Sequence, residues 1–315
     1  MGSMRKILFR VLAVVVMLTV ALPLISQAAR AVESTNPEES ITLSPATSQP
    51  KLAAGSTTKG ELTVINNGDI DYKFITYARP FSVQGEDYST DFETVTDRTE
   101  LYQWISFPKA EYDLAAGESV EVPYTIKVPN NVRPGGHYAV LFAETQPPET
   151  ATQNVARKKR VGSLVYATAA GETELSGSIE SFSSKMWFSN PPIQSEMLIR
   201  NSGNTHFEAK QDIVYKNIFG GQVYGTGQTK IIMPGTTRKV VAEWEKSPLF
   251  GVFKLEGTVN YLGKTEALKS SYIIIMPMKI LVPAIAVIAL AIIWMIRKRR
   301  TGKTPQNKSF KTNRR

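Results

Sequence analysis

Two histidines, His137 and His206, no cysteine and 28 carboxylates are this chain's main means of doing chemistry. Without a thiol there is no disulfide framework, thiolate zinc site or cysteine nucleophile. Each histidine stands without a second one nearby, so each is expected to be a structural or exposed residue rather than a metal ligand. The cluster Glu86, Asp87, Asp91, Glu93 and Asp97 has the donor type for calcium but not a regular ligand spacing, and reads as a solvated acidic loop. No Gly-x-Ser-x-Gly elbow, Gly-x-Gly-x-x-Gly turn, Walker loop, His-Glu-x-x-His pair or EF-hand loop occurs. The expectation is a non-enzyme with no cofactor and no metal.

Binding chemistry has two candidates. Tyr88, Phe92, Tyr102 and Trp104 lie in an irregular stretch between strand-like runs. Their rings could stack on a ligand's flat faces, or Trp104 and Phe107 could simply cap a β core, which is the commoner use of such residues. The run Arg157, Lys158, Lys159 and Arg160 ends a polar loop and could attract an anionic polymer or headgroup, or be a solvated loop. Ligand-binding residues are therefore sought among Tyr88, Tyr102, Trp104 and Arg157 to Arg160.

The 315 residues carry a formal charge of +9, but unevenly. Every carboxylate lies between Glu33 and Glu266, while residues 297–315 hold nine basic and no acidic residues. Between Val32 and Met276 there are 23 basic against 28 acidic residues, so the body is mildly acidic and no nucleic-acid partner is expected. Arg5, Lys6 and Arg10 precede an apolar run from Val11 to Ile25 and small residues to Ala31, the pattern of an export signal over 1–31. A second uncharged run, Ile280 to Ile296, is read as a transmembrane helix within 275–296. Lys279 and Trp294 would sit at its two interfaces, and Arg297, Lys298, Arg299 and Arg300 would hold the 297–315 tail in the cytoplasm. The expected topology is single-pass type I in a plasma membrane, with everything before the span outside. The only glycosylation sequon, at Asn307, falls in that tail.

The body between these segments shows short alternating runs broken by Gly, Pro, Asn and Asp, which predicts an all-β chain. Glu61 to Ile65, the turn cluster Asn66-Asn67-Gly68-Asp69, and Tyr72 to Ala78 read as a hairpin. Val120, Val122, Tyr124, Ile126 and Val128 share one face of a strand whose Pro123 marks an edge or bulge. The second half repeats the first in outline. Met197 to Arg200 runs into Asn201-Ser-Gly203-Asn204, as Leu62 to Ile65 runs into Asn66 to Asp69, and Ile232 to Val241 parallels Leu114 to Val122. Two tandem Ig-like β-sandwich domains, 32–180 and 181–274, follow, with the division inside 177–187.

The order of landmarks resembles a known family. Ile41-Thr-Leu-Ser-Pro45, Gly60 to Asp69, Tyr88-Ser-Thr-Asp-Phe92, Trp104-Ile-Ser-Phe107, Val128-Pro-Asn-Asn131, Pro134 to Glu144 and a C-terminal span are similar to the WxL-interacting surface proteins of Gram-positive bacteria. That resemblance implies a peptidoglycan-binding first domain and a partner-binding second one. The expected function is thus a membrane-anchored, non-enzymatic adhesion protein that binds cell-wall glycan or a secreted surface protein. The alternative is an accessory subunit of a membrane assembly or secretion complex. The sequence carries no signal for an oligomeric state.

Overall fold

Alternating side chains give each long strand one face that must be buried, and here the strands satisfy this by stacking as pairs of sheets. The computed structural model describes residues 39–146 and 158–301. In chain order the first half contains β1 (Ile41–Ser44), β2 (Thr47–Ser48), β3 (Lys51–Leu52), β4 (Thr57–Asn66), β5 (Tyr72–Pro80), β6 (Ser82–Gln84), β7 (Ser89–Asp91) and the one-turn helix α1 (Leu101–Trp104). It continues with β8 (Ile105–Ser106), β9 (Glu111–Leu114), β10 (Ser119–Lys127), β11 (Gly135–Gln146) and β12 (Arg160–Ala169). One sheet runs β1-β4-β10-β8, and the other β2-β12-β11-β5-β9, with β3 also beside β12. Leu62 and Val64 of β4, Val122 and Ile126 of β10, and Leu141 of β11 fill the core between them.

The second half contains β13 (Gly177–Ser184), β14 (Trp187–Phe188), β15 (Ile193–Asn201), β16 (Phe207–Asn217), β17 (Gln222–Ile232), β18 (Thr237–Trp244), β19 (Gly251–Tyr261) and β20 (Lys264–Ile275). Its sheets run β13-β15-β18 and β14-β20-β19-β16-β17, and Met197, Ile213, Tyr215, Leu255 and Ile273 are among the residues of a separate core. The two halves share one topology. In each, the leading strand pairs antiparallel in one sheet, after which the chain crosses to lie parallel to the last strand of the other: β2 and β3 beside β12, β14 beside β20. The arrangement is that of all-β, Ig-like sandwiches.

The supposed hairpin is not one. β4 pairs with β1 and β10, whereas β5 pairs with β11 and β9, so the 66–71 turn carries the chain from one sheet to the other. The reason is Asn66, whose buried side-chain amide donates to the carbonyls of Ile70 (2.9 Å) and Ala115 (3.0 Å) and whose Oδ1 accepts from the Gly68 N–H (3.0 Å). It holds the corner open instead of closing a two-residue turn. Pro123 falls, as expected, on an edge: β8 covers β10 only at Thr125 and Ile126. β13 pairs with β15 of the second half.

The C-terminal apolar run forms the helix α2 (Met278–Thr301), with Pro283 inside it. Its uncharged stretch of 17 residues is about 26 Å long against a hydrocarbon core of about 30 Å. Among the described residues no helix is long and apolar enough to cross a membrane. The expected transmembrane span, the type I topology and the plasma-membrane location built on it are corrected accordingly. Lys279, Trp294 and Arg297 are exposed on α2, which does not place them at membrane interfaces. The side chains of Lys298, Arg299 and Arg300, the sequon at Asn307 and the export signal of 1–31 lie outside the described residues.

Candidate functional site: an open strand edge

A sheet edge exposes a row of unpaired peptide groups, and most edges of this chain are protected against adding another strand. β1, β8 and β9 have four residues or fewer, β13 carries a bulge between Ile179 and Ser181, β12 is flanked by β2 and β3, and β14 covers the end of β20 at Ile274 and Ile275. The free side of β10 contains Pro123. β17 differs. It is an edge strand of 11 residues without proline, paired on one side with β16 in continuous register from Ile232 to Tyr224.

Which peptide groups of β17 face outward follows from one hydrogen bond. The Ile231 carbonyl accepts from Arg238 Nη1 at 2.6 Å across the gap to β18, so residue 231 faces the free edge. Alternate residues of an antiparallel strand share that direction, which puts the N–H and C=O of Thr229, Gly227 and Gly225 on the free edge as well. Among the described residues these groups have no backbone partner there.

β18 presents its own edge across a cleft of about 440 Å³. The Lys239 N–H, which donates to the Glu86 carbonyl at 2.8 Å, identifies residues 239, 241 and 243 as edge-facing. Two side chains of β17 close this edge: Gln228 Nε2 donates to the Val241 carbonyl at 2.6 Å and the Tyr224 hydroxyl to the Glu243 carbonyl at 3.4 Å. Gln228 Nε2 also reaches Gln211 Oε1 at 3.2 Å, leaving the buried Gln211 amide nitrogen without a partner among the described residues. The first half covers the corresponding side of β10 with β8. The second half has only the turn between β16 and β17 where the first inserts residues 81–110, so β18 receives no such strand.

That inserted segment also joins the halves. The β6–β7 hairpin puts Asp87 on Lys239 Nζ at 2.7 Å, while the buried Tyr88 hydroxyl meets Thr236 Oγ1 and accepts from the Met233 N–H at 3.0 Å. Arg238 lies 4.3 Å over the Tyr88 ring. Beside them His206 packs against the rings of Tyr138 and Tyr166 at 5.7 Å and 5.4 Å, and the Tyr138 hydroxyl and His206 Nδ1 share a hydrogen bond at 3.3 Å. Burial pushes His206 down to about 4 and Tyr166 up to about 12, so both are neutral at pH 7.

The residues singled out from sequence therefore separate. Tyr88 is a buried strut between the halves. Trp104 packs on the His137 ring at 4.9 Å and, with Phe107, against the first core. His137 is itself buried and donates from Nε2 to the Arg133 carbonyl at 2.7 Å. Tyr102 is half-buried and shares a cavity with Arg160. Lys158 pairs with Glu144 at 3.4 Å, and the Lys159 N–H donates to Thr145 Oγ1 at 3.0 Å. Arg157 lies outside the described residues. The acidic segment holds no metal-sized group among the described residues; Asp91 instead accepts from the N–H groups of Glu93 and Thr94, and Asp97 pairs with Arg133. Sequence reading did not single out β17, whose only sign is a long polar alternation carrying two glycines and no proline.

No family model and no curated protein matches the sequence. Solved structures are similar in fold. The class 5 fimbriae chaperone CfaA is 14% identical, with a TM-score of 0.39 over 76% of this chain and 100% of its own. The CsuC–CsuE chaperone–tip subunit pre-assembly complex of Acinetobacter baumannii gives 15%, 0.38, 75% and 98%. The E. coli chaperone DraB gives 13%, 0.35, 74% and 97%. These are fimbrial chaperones, a different family from the WxL-interacting proteins, and the family expectation is corrected. Its motifs serve the fold: Gly60 to Asp69 forms a strand and its pinned corner, and β11 from Gly135 to Ala143 is buried throughout. Cell-wall glycan or a secreted surface protein as partner, the adhesion role and the membrane-complex alternative rested on that resemblance or on the span, and they are corrected with them.

Proposed function

We propose that this chain is a non-enzymatic polypeptide-binding protein, built of two tandem Ig-like domains divided between β12 and β13 rather than inside 177–187, that takes an extended partner segment onto the free edge of β17. The observation that carries this reading is the run of edge-facing peptide groups at Gly225, Gly227 and Thr229 on a long, proline-free edge. Strand addition draws its affinity from main-chain hydrogen bonds, each worth about 0.5–1.5 kcal/mol net, and its selectivity from alternate side chains. The incoming strand would displace Gln228 and Tyr224 from the carbonyls of β18, and an inward-facing acceptor on it would satisfy the Gln211 amide.

A blocked nonapeptide alternating Thr and Val, titrated into the full chain, tests this. Thr229→Pro removes an edge-facing N–H without removing a β16 hydrogen bond, and should weaken binding about tenfold, the equivalent of one lost hydrogen bond of about 1.4 kcal/mol. Unchanged affinity in a folded Thr229→Pro variant would reject β17 as the acceptor.

A further inference from the structure

The first half contains a second binding feature that the strand edge does not use. On the outer face of the sheet containing β5, β11 and β12, a cavity of about 650 Å³ opens beside the β6–β7 hairpin and α1. Its neighbourhood is aromatic: Tyr77 and Phe142 lie 5.5 Å apart, and Phe92 meets Phe142 edge-on at 5.2 Å. Two arginines line it. The Arg160 guanidinium lies 4.5 Å over the Phe142 ring, and that of Arg79 lies 5.7 Å from the Tyr77 ring.

The carboxylates around these arginines are engaged elsewhere. Asp91, in the cavity wall, accepts from the N–H groups of Glu93 and Thr94, the Thr94 hydroxyl and the Gln84 amide. Glu144, opposite Arg160 on β11, accepts from the Tyr77 hydroxyl at 2.6 Å and pairs with Lys158. Among the described residues neither Arg79 nor Arg160 has a carboxylate within ion-pair distance. Glu93 is the other acid in the wall, against two guanidiniums and the hydroxyls of Ser89, Thr90 and Tyr102. Arg160 also hydrogen-bonds the Tyr77 hydroxyl and its charge helps hold Glu144 below the usual carboxylate range, while a guanidinium fixed over an aromatic ring keeps further N–H groups for a planar anion.

We infer that this cavity receives the carboxylate of an acidic side chain on a polypeptide, held by Arg160 and Arg79 with hydroxyl support from Tyr102. The space exceeds what a single carboxylate needs and admits the side chain with part of its backbone. The site does not rest on strand addition at β17, and either can fail alone.

Fluorescence anisotropy of labelled tetraglutamate with the full chain tests it, with tetralysine and inorganic phosphate as the other arms. Tetraglutamate should bind, more weakly as salt rises, and Arg160→Gln and Arg79→Gln should each weaken it about tenfold. Arg160→Lys should recover only part of the loss. The Thr229→Pro variant should bind tetraglutamate as the parent does. Both arginines are exposed, so unchanged thermal unfolding of the Gln variants confirms that the fold persists. Absence of tetraglutamate binding, equal binding of tetralysine, or undiminished binding by the double Gln variant would overturn the assignment. Phosphate binding as tightly as tetraglutamate would overturn the polypeptide source.

Discussion

Asn66 and Asn201 do the same work in the two halves. The Asn201 amide donates to the carbonyls of Thr205 (2.9 Å) and Ile232 (2.8 Å), and its Oδ1 accepts from the Gly203 N–H (2.9 Å), as Asn66 does at the first corner. Both are buried, so removing either leaves carbonyls without a donor; Asn201→Ala should cost about 2–4 kcal/mol in denaturant unfolding, and a loss below about 1 kcal/mol would show that the corner does not depend on it. His206 gives a pH prediction. Its folded value is near 4 and an unfolded histidine titrates near 6.5, so between these the unfolded chain binds the extra proton. Stability is then complete above about pH 6.5 and falls as pH drops toward 4. His137, also pushed down by burial, adds with the same sign, whereas Glu144 and Glu256 are held below the usual carboxylate range and act at lower pH. Unfolding between pH 7 and 5 should lose most of its slope in a His137→Phe, His206→Phe double variant; an unchanged slope would contradict the assignment.

Strand positions were legible wherever one face is buried. The alternation from Val120 to Val128 is β10, and Pro123 marks the part of it that β8 leaves uncovered. Partnering was not legible. Leu62 to Ile65 and Tyr72 to Ala78 look like two arms of a hairpin, because the alternation of a strand is the same whichever sheet it joins, and only the Asn66 contacts decide. The aromatic residues between 88 and 104 misled for a related reason: sequence shows that a ring is present but not that Tyr88 would reach across to Met233. β17 supplies a prediction at this scale. Thr229→Pro acts on an edge-facing N–H and should change stability by under about 1 kcal/mol, while Gln228→Pro, whose N–H faces β16, should cost about 3 kcal/mol or more. Equal effects in thermal unfolding would show that the assigned edge direction is wrong.

At the scale of the molecule, the halves repeat a topology and are joined by side chains that only one of them possesses. The weak parallel between Leu114 to Val122 and Ile232 to Val241 holds in space, because β9 leads into β10 as β17 leads into β18. The difference, residues 81–110, supplies the β6–β7 hairpin that reaches the second half through Glu86, Asp87 and Tyr88. Tyr88→Ala removes the strut to Met233 and Thr236 and its contact with Arg238. Calorimetry should then resolve separate unfolding transitions where the parent shows coupling, and a single unshifted transition would show that the junction does not rest on Tyr88. What sequence could not convey at this scale is that the insertion in one half leaves β17 and β18 of the other without a covering strand.

Amide hydrogen exchange of the full chain, with and without the Thr/Val nonapeptide, tests strand capture most directly. Slowed exchange centred on Gly225, Gly227 and Thr229, with Val223 to Ile232 otherwise as before, is the predicted result. Protection that spares these three amides while the peptide is bound would place the contact elsewhere and contradict the account.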